Sequence, residues 1–160
     1  MSQAKGKFTK ILLAIDGSEQ SMKAADYAIA MAKKENNNNN SQLIALHVLF
    51  SQTGYAYSIN MFGLVTPSSI NKFLEDAKHD AQQWFDEIKE KISENDIQLK
   101  TEVVVSTTSV VAAIVDYAEQ ENVDLLVISS RGRSGFKKLL LGSTASGVVT
   151  YAICPVLVVK

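Results

Sequence analysis

The residues best suited to chemistry lie between positions 129 and 147, where glycine, basic and hydroxyl side chains alternate. Four of the eight glycines fall within Gly132–Gly147, and Ser143 and Thr144 stand near the start of a predicted helix. Glycine lets backbone N–H groups come close to a ligand, and a helix N-terminus carries a partial positive charge. The pattern is typical of phosphate binding, although a simple turn with solvated cations accounts for the same residues equally well.

The net charge of −1 conceals an uneven distribution of ionisable residues along the 160-residue chain. Residues 1–124 contain 11 basic and 17 acidic side chains, whereas residues 125–160 contain five basic side chains and no acidic ones. Those five are Arg131, Arg133, Lys137, Lys138 and Lys160. The overall balance argues against nucleic acid or an anionic membrane as a partner, and the basic quarter points to a small anion.

Several catalytic and cofactor motifs are missing or incomplete. Gly142–Gly147 has the glycine spacing of a P-loop, but Val148 stands where the P-loop requires lysine. The dinucleotide-binding, nucleophile-elbow, zinc-protease and thiol-redox motifs do not occur. Cys154 is the single cysteine, so a disulfide framework is excluded and a reducing, cytoplasmic compartment is expected.

Five short apolar runs predict the strands that would position these residues: 10–16, 42–50, 97–105, 123–129 and 156–159. Apolar stripes of helical period predict four intervening helices, which begin at Ser18, at Ser68 or Ser69, near 107 and near 143. The last of them is predicted to extend to about Ile153. Residues 51–69 lack a consistent period and are typical of a long loop. This alternation predicts an α/β fold with a parallel sheet, in which ligands bind beyond the carboxyl ends of the strands.

These segments resemble the universal stress protein family. The likeness rests on Ile11–Ser18, Ala45–Val48, Asp124–Ile128, Ser129–Ser143 and Cys154–Val159, and it spans the whole chain apart from the 51–69 loop. It implies a single domain over residues 1–160. The implied architecture is a three-layer Rossmann-like fold of the adenine nucleotide alpha hydrolase-like type. Its sheet would have five parallel strands in the order 3-2-1-4-5 with helices on both faces.

One subgroup of that family carries the motif G-x2-G-x9-G-[ST] and binds ATP. The resemblance therefore implies ATP or AMP, with or without Mg²⁺, as the ligand. Gly132, Gly142 and Ser143 match this motif, but Ser129 replaces its first glycine. The Cβ of a serine would crowd a nucleotide or restrict φ at that position. Its hydroxyl would alternatively hydrogen-bond the ribose or a phosphate.

Other site residues follow from the same resemblance. Val48 would contact adenine through its backbone, and Asp16 would lie near the ribose or, indirectly, the metal. The alternative role of Asp16 is to cap the helix at Ser18, and the two roles are compatible. The complete set of predicted ligand-binding residues is Ala14, Ile15, Asp16, Val48, Ile128, Ser129, Arg131, Gly132, Arg133, Gly135, Gly142, Ser143 and Thr144.

The expected function is a stress-response or regulatory protein that binds an adenine nucleotide. Hydrolysis of ATP would be slow at most, because no general base stands out beside the expected phosphates. The alternative is a nucleotide-free interaction module in which Ser129 closes the site and the dimer surface or the 51–69 loop recruits partners. A phosphoryl-transfer enzyme lacks a catalytic signature in this sequence.

Four further features have structural interpretations. Val156–Val159 is apolar on both faces yet falls at an edge of the sheet, which predicts a homodimer through this strand, as the resemblance also does. His47 is expected to be a hydrogen-bonded residue inside a buried strand. Trp84 and Cys154 are assigned to packing rather than to chemistry.

Overall fold

The computed structural model describes residues 8–35, 41–51, 67–93, 97–133 and 140–160. The strands are β1 (Lys10–Ala14), β2 (Gln42–Phe50), β3 (Gln98–Ser106), β4 (Leu125–Ser129) and β5 (Val156–Val159). The helices are α1 (Glu19–Glu35), α2 (Pro67–Ile92), α3 (Val110–Gln120) and α4 (Ser143–Tyr151). Most of the predicted 51–69 loop lies outside these described residues.

The five strands form one parallel sheet in the order β3-β2-β1-β4-β5. This observation confirms the predicted α/β fold and strand order. Chain order reverses between β1 and β4, where Ala14 pairs with Ile128. The carboxyl ends of those two strands therefore flank the point at which parallel sheets of this kind bind ligands.

Helices cover both faces of the sheet, which explains why the central strands are apolar without alternation. Ile11 and Leu13 of β1 pack in a core with α1 and α2, whereas Leu12 and Ala14 pack in a second core with α3 and α4. Successive strand residues point to opposite faces, so each central strand contributes to both cores. The result is the expected three-layer arrangement.

Several boundaries differ from the sequence prediction: β1 ends at Ala14 rather than at 16, β4 begins at Leu125 rather than at 123, and helix ends shift as well. Helix α2 begins at Pro67 rather than at a serine. Proline suits the first position of a helix, because the N–H that it lacks would have no helical partner there. Helix α3 begins at Val110 rather than near 107, because Ser109 is extended and its Oγ accepts a hydrogen bond from the Ala112 N–H. Helix α4 ends at Tyr151 rather than at 153, because Ala152 is extended.

The two edges of the sheet differ in character. At one edge, every residue of β3 is exposed or half-buried, and the two classes do not alternate strictly. At the other, Val156, Leu157 and Val158 of β5 are only half-buried despite being apolar. None of the helices in the described ranges combines the length and apolar character needed to cross a bilayer.

Candidate functional site

A cleft of about 670 Å³ lies at the carboxyl ends of β1, β2 and β4. Small-molecule sites commonly have volumes of roughly 300–1,000 Å³, so this cleft is large enough for a nucleotide-sized ligand. Apolar side chains line one part of it and the polar 129–133 and 142–144 segments line another. The cleft occupies the β1/β4 switch point that the fold makes available.

The structure brings the predicted ligand-binding residues together. All of them except Gly135 line the cleft: Ala14, Ile15, Asp16, Val48, Ile128, Ser129, Arg131, Gly132, Arg133, Gly142, Ser143 and Thr144. Gly135 lies outside the described residues, as do Lys137 and Lys138 of the basic loop.

Five cleft residues were missed by the sequence reasoning: Leu46, Phe50, Val110, Ile114 and Ala145. For β2 the signal was present, because alternate strand residues share a face and Val48 was already assigned to the site. Phe50 is two positions further along and remains 40% exposed. Helix α3 gave no such signal, because its apolar stripe predicts only that one side packs on the sheet.

Asp16 holds the turns that follow β1 and β4 together. Its Oδ1 accepts hydrogen bonds from the Ser18 N–H (3.0 Å) and from the Ser18 hydroxyl (2.6 Å). Its Oδ2 accepts a hydrogen bond of 3.1 Å from the Arg133 N–H. Ser18 in turn caps α1, because its Oγ accepts from the Ser21 N–H. Asp16 therefore braces the cap of α1 and also borders the cleft.

The Asp16 carboxyl is held in its ionised form. Burial raises its pKa, but the hydrogen bonds from Ser18, Ser21 and the Arg133 backbone outweigh burial, so its pKa lies below the usual 3.8. A carboxylate with this pKa stays deprotonated at neutral pH and is a weak proton acceptor. It is an anchoring group whose charge also suits it to ligate a cation.

Gly132 allows the turn after β4 to approach Asp16. A Cβ at this position would lie 2.5 Å from Asp16 Oδ2, far inside van der Waals contact. Any larger residue must therefore displace the carboxylate or the turn. This close approach gives a physical reason for glycine at the second position of the motif.

Ser129 uses its hydroxyl within the same turn. It is the last residue of β4, is 6% exposed, and donates a hydrogen bond of 2.7 Å to the Arg131 carbonyl. The next residue, Ser130, donates its N–H to the Val159 carbonyl at 2.7 Å. Serine thus stabilises the turn with a hydrogen bond that glycine could not make.

The N-terminus of α4 faces the cleft. Gly142 is its N-cap and offers no side chain to the first-turn N–H groups, while Ser143, Thr144 and Ala145 line the cleft. A serine or aspartate cap would occupy one of those N–H groups. Glycine leaves them for a ligand, and the helix end carries a partial positive charge, so this position suits an anion.

Arg133 contacts the turn after β1 and the ring of Trp84. Its Nε donates a hydrogen bond of 2.7 Å to the Asp16 carbonyl, and its guanidinium carbon lies 5.2 Å from the centroid of the Trp84 ring. Trp84 packs directly on Gly17, which has φ of 76° and where a Cβ would overlap the indole ring. Trp84 is half-buried against the α1/α2 core, as expected, but it also contacts the turns that border the site.

His47 has the structural role that its strand position predicts. It is 7% exposed, its Nδ1 lies 2.8 Å from the Ile15 carbonyl, and its ring meets Trp84 edge-on at 5.1 Å. Burial lowers the pKa of His47 below 6.5, and the positive charge of Arg133 adds to that effect. Burial likewise raises the pKa of the Cys154 thiol, which suits a packing role.

Comparison with known proteins gives a consistent match. The model of the universal stress protein family matches residues 7–160. Universal stress protein YxiE of Bacillus subtilis is 32% identical over 153 residues, which cover 96% of this chain and 99% of that protein. The solved structure of protein MJ0577 of Methanocaldococcus jannaschii has a TM-score of 0.74 at 27% identity and covers 96% of both chains.

Three more distant structures of the same fold contain an adenine nucleotide. A universal stress protein in complex with cAMP has a TM-score of 0.63 at 23% identity, covering 96% of this chain and 98% of that one. An Archaeoglobus fulgidus universal stress protein in complex with dAMP has a TM-score of 0.64 at 19% identity, covering 96% of this chain and 98% of that one. An Arabidopsis thaliana protein with AMP bound has a TM-score of 0.62 at 16% identity, covering 95% of this chain and 91% of that one.

Proposed function

This chain belongs to the universal stress protein family, and we propose that it binds an adenine nucleotide, ATP or AMP, at the β1/β4 switch point. The observation that carries this proposal is the N-terminus of α4, which faces a cleft with an apolar wall on its other side. A nucleotide has the same division into an anionic part and a flat, weakly polar base. Its binding would serve a regulatory or stress-response role.

The phosphates belong at the α4 end of the cleft. Ser143 and Thr144 offer first-turn N–H groups and hydroxyls, and Gly142 leaves those groups uncapped. The position of Gly142 is set by its own N–H, which donates 2.8 Å to the Ser130 carbonyl. Arg131 lines the same cleft and supplies a positive charge.

The base belongs between β2 and α3. Val48 and Phe50 of β2, with Val110 and Ile114 of α3, line that side of the cleft with apolar surface. A purine ring gains by leaving water for such a surface, and each Å² of apolar area removed from water contributes about 25 cal/mol. The backbone of Val48 would supply the polar contact at the ring edge.

Ser129 is compatible with a bound nucleotide. Its hydroxyl is directed to the Arg131 carbonyl inside the turn, which satisfies the hydroxyl proton without a ligand. Because the residue is only 6% exposed, its contribution to the cleft surface is small. This geometry favours a retained site over an interaction module in which Ser129 blocks the nucleotide.

Magnesium would enter with the phosphates of ATP. Among the described residues there is no group of three or more side chains of the kinds that hold a metal alone. Mg²⁺ is commonly held by one or two carboxylates together with phosphate oxygens and water. Asp16 fits that limited role, since its ionised Oδ2 accepts one hydrogen bond from the described part of the chain, that of the Arg133 N–H.

We also propose that the protein acts by binding rather than by turnover. Both Asp16 oxygens already accept hydrogen bonds, and its lowered pKa makes it a poor general base. His47 is buried and its Nδ1 contacts the Ile15 carbonyl. Slow ATP hydrolysis would be the most that these groups support.

A homodimer in the cytoplasm is the proposed working form. The apolar β5 edge is only half-buried, and Tyr151 and Ile153, which precede β5 in the chain, are 68% and 72% exposed. Pairing of two β5 strands would cover this edge. The single cysteine, Cys154, suits a reducing compartment.

The decisive test combines two measurements on purified protein. Denaturation followed by mass spectrometry identifies any nucleotide that co-purifies, and thermal unfolding measures stabilisation by AMP, ATP and cAMP. A ligand at 100 times its Kd contributes about 2.7 kcal/mol, which corresponds to roughly 5–10 °C for a chain of this size. Pyrophosphate is the control for binding of phosphate alone. If no nucleotide is released and millimolar AMP or ATP leaves Tm unchanged, the proposal is wrong.

A further inference from the structure

We propose that Arg133 is a positioning residue that links the ligand-binding turn to Trp84, so that the state of the cleft is transmitted to helix α2. This inference rests on the proposed nucleotide binding. It assigns to Arg133 a role other than phosphate ligand, and it assigns to Trp84 the role of a reporter of occupancy.

Two hydrogen bonds fasten Arg133 to the end of β1. Its backbone N–H donates a hydrogen bond of 3.1 Å to Asp16 Oδ2, and its Nε donates one of 2.7 Å to the Asp16 carbonyl. The residue therefore uses main chain and side chain on the same partner. Because Gly132 lines the cleft immediately before it, a ligand that moves this turn must move Arg133 as well.

The guanidinium of Arg133 also contacts Trp84, which packs on the other face of the sheet. It lies over the Trp84 ring at 5.2 Å, within the distance at which a cation and an aromatic face attract each other. Trp84 packs against the core that contains α1 and α2, whereas the cleft is lined by α3 and α4. The chain of contacts thus runs around the sheet end from one layer to the other.

Trp84 has little freedom to absorb a displacement. The backbone of Gly17 lies against one part of its indole, since a Cβ there would overlap Cζ2 of the ring. The His47 ring meets it edge-on at 5.1 Å and is itself held by the Ile15 carbonyl. A shift of Arg133 therefore changes the electrostatic surroundings of the indole.

The experiment follows Trp84 emission during nucleotide titration, with calorimetry on the same samples. Trp84 is the single tryptophan, so the signal has one source. Arg133→Lys keeps the positive charge but removes the planar guanidinium that stacks on the ring. Arg131→Lys is the matched control, because Arg131 lines the same cleft without a contact to Trp84 among the described residues.

We expect wild-type emission to change with half-saturation at the calorimetric Kd. Arg133→Lys should reduce the amplitude at least about threefold and alter the AMP and ATP affinities by similar, small factors. At saturating nucleotide, Arg131→Lys should keep the amplitude even where its affinity is lower, because Arg131 lines the cleft. Equal amplitudes in wild type and Arg133→Lys, or an affinity loss by Arg133→Lys that is confined to ATP, would overturn the inference.

The calorimetry separates this inference from the function on which it rests. Heat of binding without any Trp84 response refutes the link while nucleotide binding stands. The absence of binding heat with AMP, ATP and cAMP refutes both proposals together.

Discussion

The contact between Gly132 and Asp16 leads to a sharp prediction about the site. In Gly132→Ala the new Cβ would start 2.5 Å from Asp16 Oδ2. Ordinary contacts lie at 3.4 Å or more, so the two atoms must separate by roughly 1 Å to escape repulsion. We expect the Asp16 carboxylate to retreat, because the turn after β4 is also held by Ser129 and Ser130.

The magnitude follows from the hydrogen bond that this retreat breaks. Asp16 Oδ2 accepts from the Arg133 N–H at 3.1 Å, and a displacement of that size leaves the pair outside hydrogen-bonding distance. Hydrogen bonds to charged groups contribute about 1.5–3 kcal/mol. Because this pair is exposed to solvent, we expect the free energy of unfolding to fall by an amount at or just below the lower end of that range, about 1–1.5 kcal/mol. We expect nucleotide affinity to fall roughly tenfold.

Gly147→Ala is the matched control for this substitution. Its Cβ would meet Val111 Cγ2 at 2.7 Å, so it also overpacks its surroundings, at a cost of about 1–3 kcal/mol. Alanine inside α4 recovers about 1 kcal/mol of helix propensity. Gly147 does not belong to the lining of the cleft. We therefore expect Gly147→Ala to keep wild-type nucleotide affinity whether its free energy of unfolding rises or falls.

The assay is calorimetric titration with AMP and ATP, together with urea unfolding of each variant. The reasoning is refuted if Gly132→Ala binds as tightly as wild type, or if Gly147→Ala weakens binding equally. In the second case the loss would reflect general destabilisation rather than the Asp16 contact.

Three further predictions concern Ser129, His47 and the β5 edge. Ser129→Gly removes the hydrogen bond to Arg131 and should change nucleotide affinity less than about fivefold; binding that appears only in this variant would favour a closed site in the natural protein. Because burial lowers the pKa of His47 below 6.5, the folded state binds fewer protons than the unfolded chain in that range. The contribution of neutral His47 to the free energy of unfolding should therefore be fully present above pH 6.5 and decline as the pH falls below it. Urea unfolding between pH 7 and 5 should show a flatter dependence on pH for His47→Gln than for the wild type. Light scattering at tens of micromolar should find a dimer that Ile153→Asp dissociates and Phe73→Asp leaves intact; monomers alone in the wild type would contradict the β5 interface.

The α/β class and the parallel sheet were predictable because their signals are local and repeated, whereas the strand order came from the family resemblance. Continuous apolar runs such as those of β2 and β4 require burial on both faces, and helices between them supply the cover. Boundaries were less predictable because they depend on backbone conformation. Ser109 and Ala152 are extended in the structure, and neither residue type dictates that conformation.

Most residues of the cleft were predictable, but their contacts were not. Resemblance identified Asp16, Gly132 and Gly142, and the structure shows each at the same cleft. The resemblance could not show that the Asp16 carboxylate leaves no room for a Cβ at Gly132, since that contact joins residues more than a hundred positions apart. The apolar wall from α3 was missed for the same reason, because helix period reveals a buried side without revealing what it faces.

Arg133 illustrates why residue type alone does not determine a role. In the sequence it is one of several cations near the motif glycines, and phosphate binding is the natural interpretation. In the structure its Nε is bonded to the Asp16 carbonyl and its guanidinium lies on Trp84. A cation held in this way costs energy to redirect, because both contacts must first be lost.

The balance of charge around the cleft follows from that arrangement. Asp16 remains ionised beside a site proposed for an anion, and Arg133, hydrogen-bonded to the same residue, compensates for it locally. Within the described residues, the positive charge left to attract phosphate then comes from the α4 N-terminus and Arg131. Fixed dipoles close to a ligand are screened less by salt than exposed side chains. The charge of Arg131 should therefore contribute to the ionic-strength dependence of nucleotide affinity, and the salt dependence should flatten in Arg131→Gln.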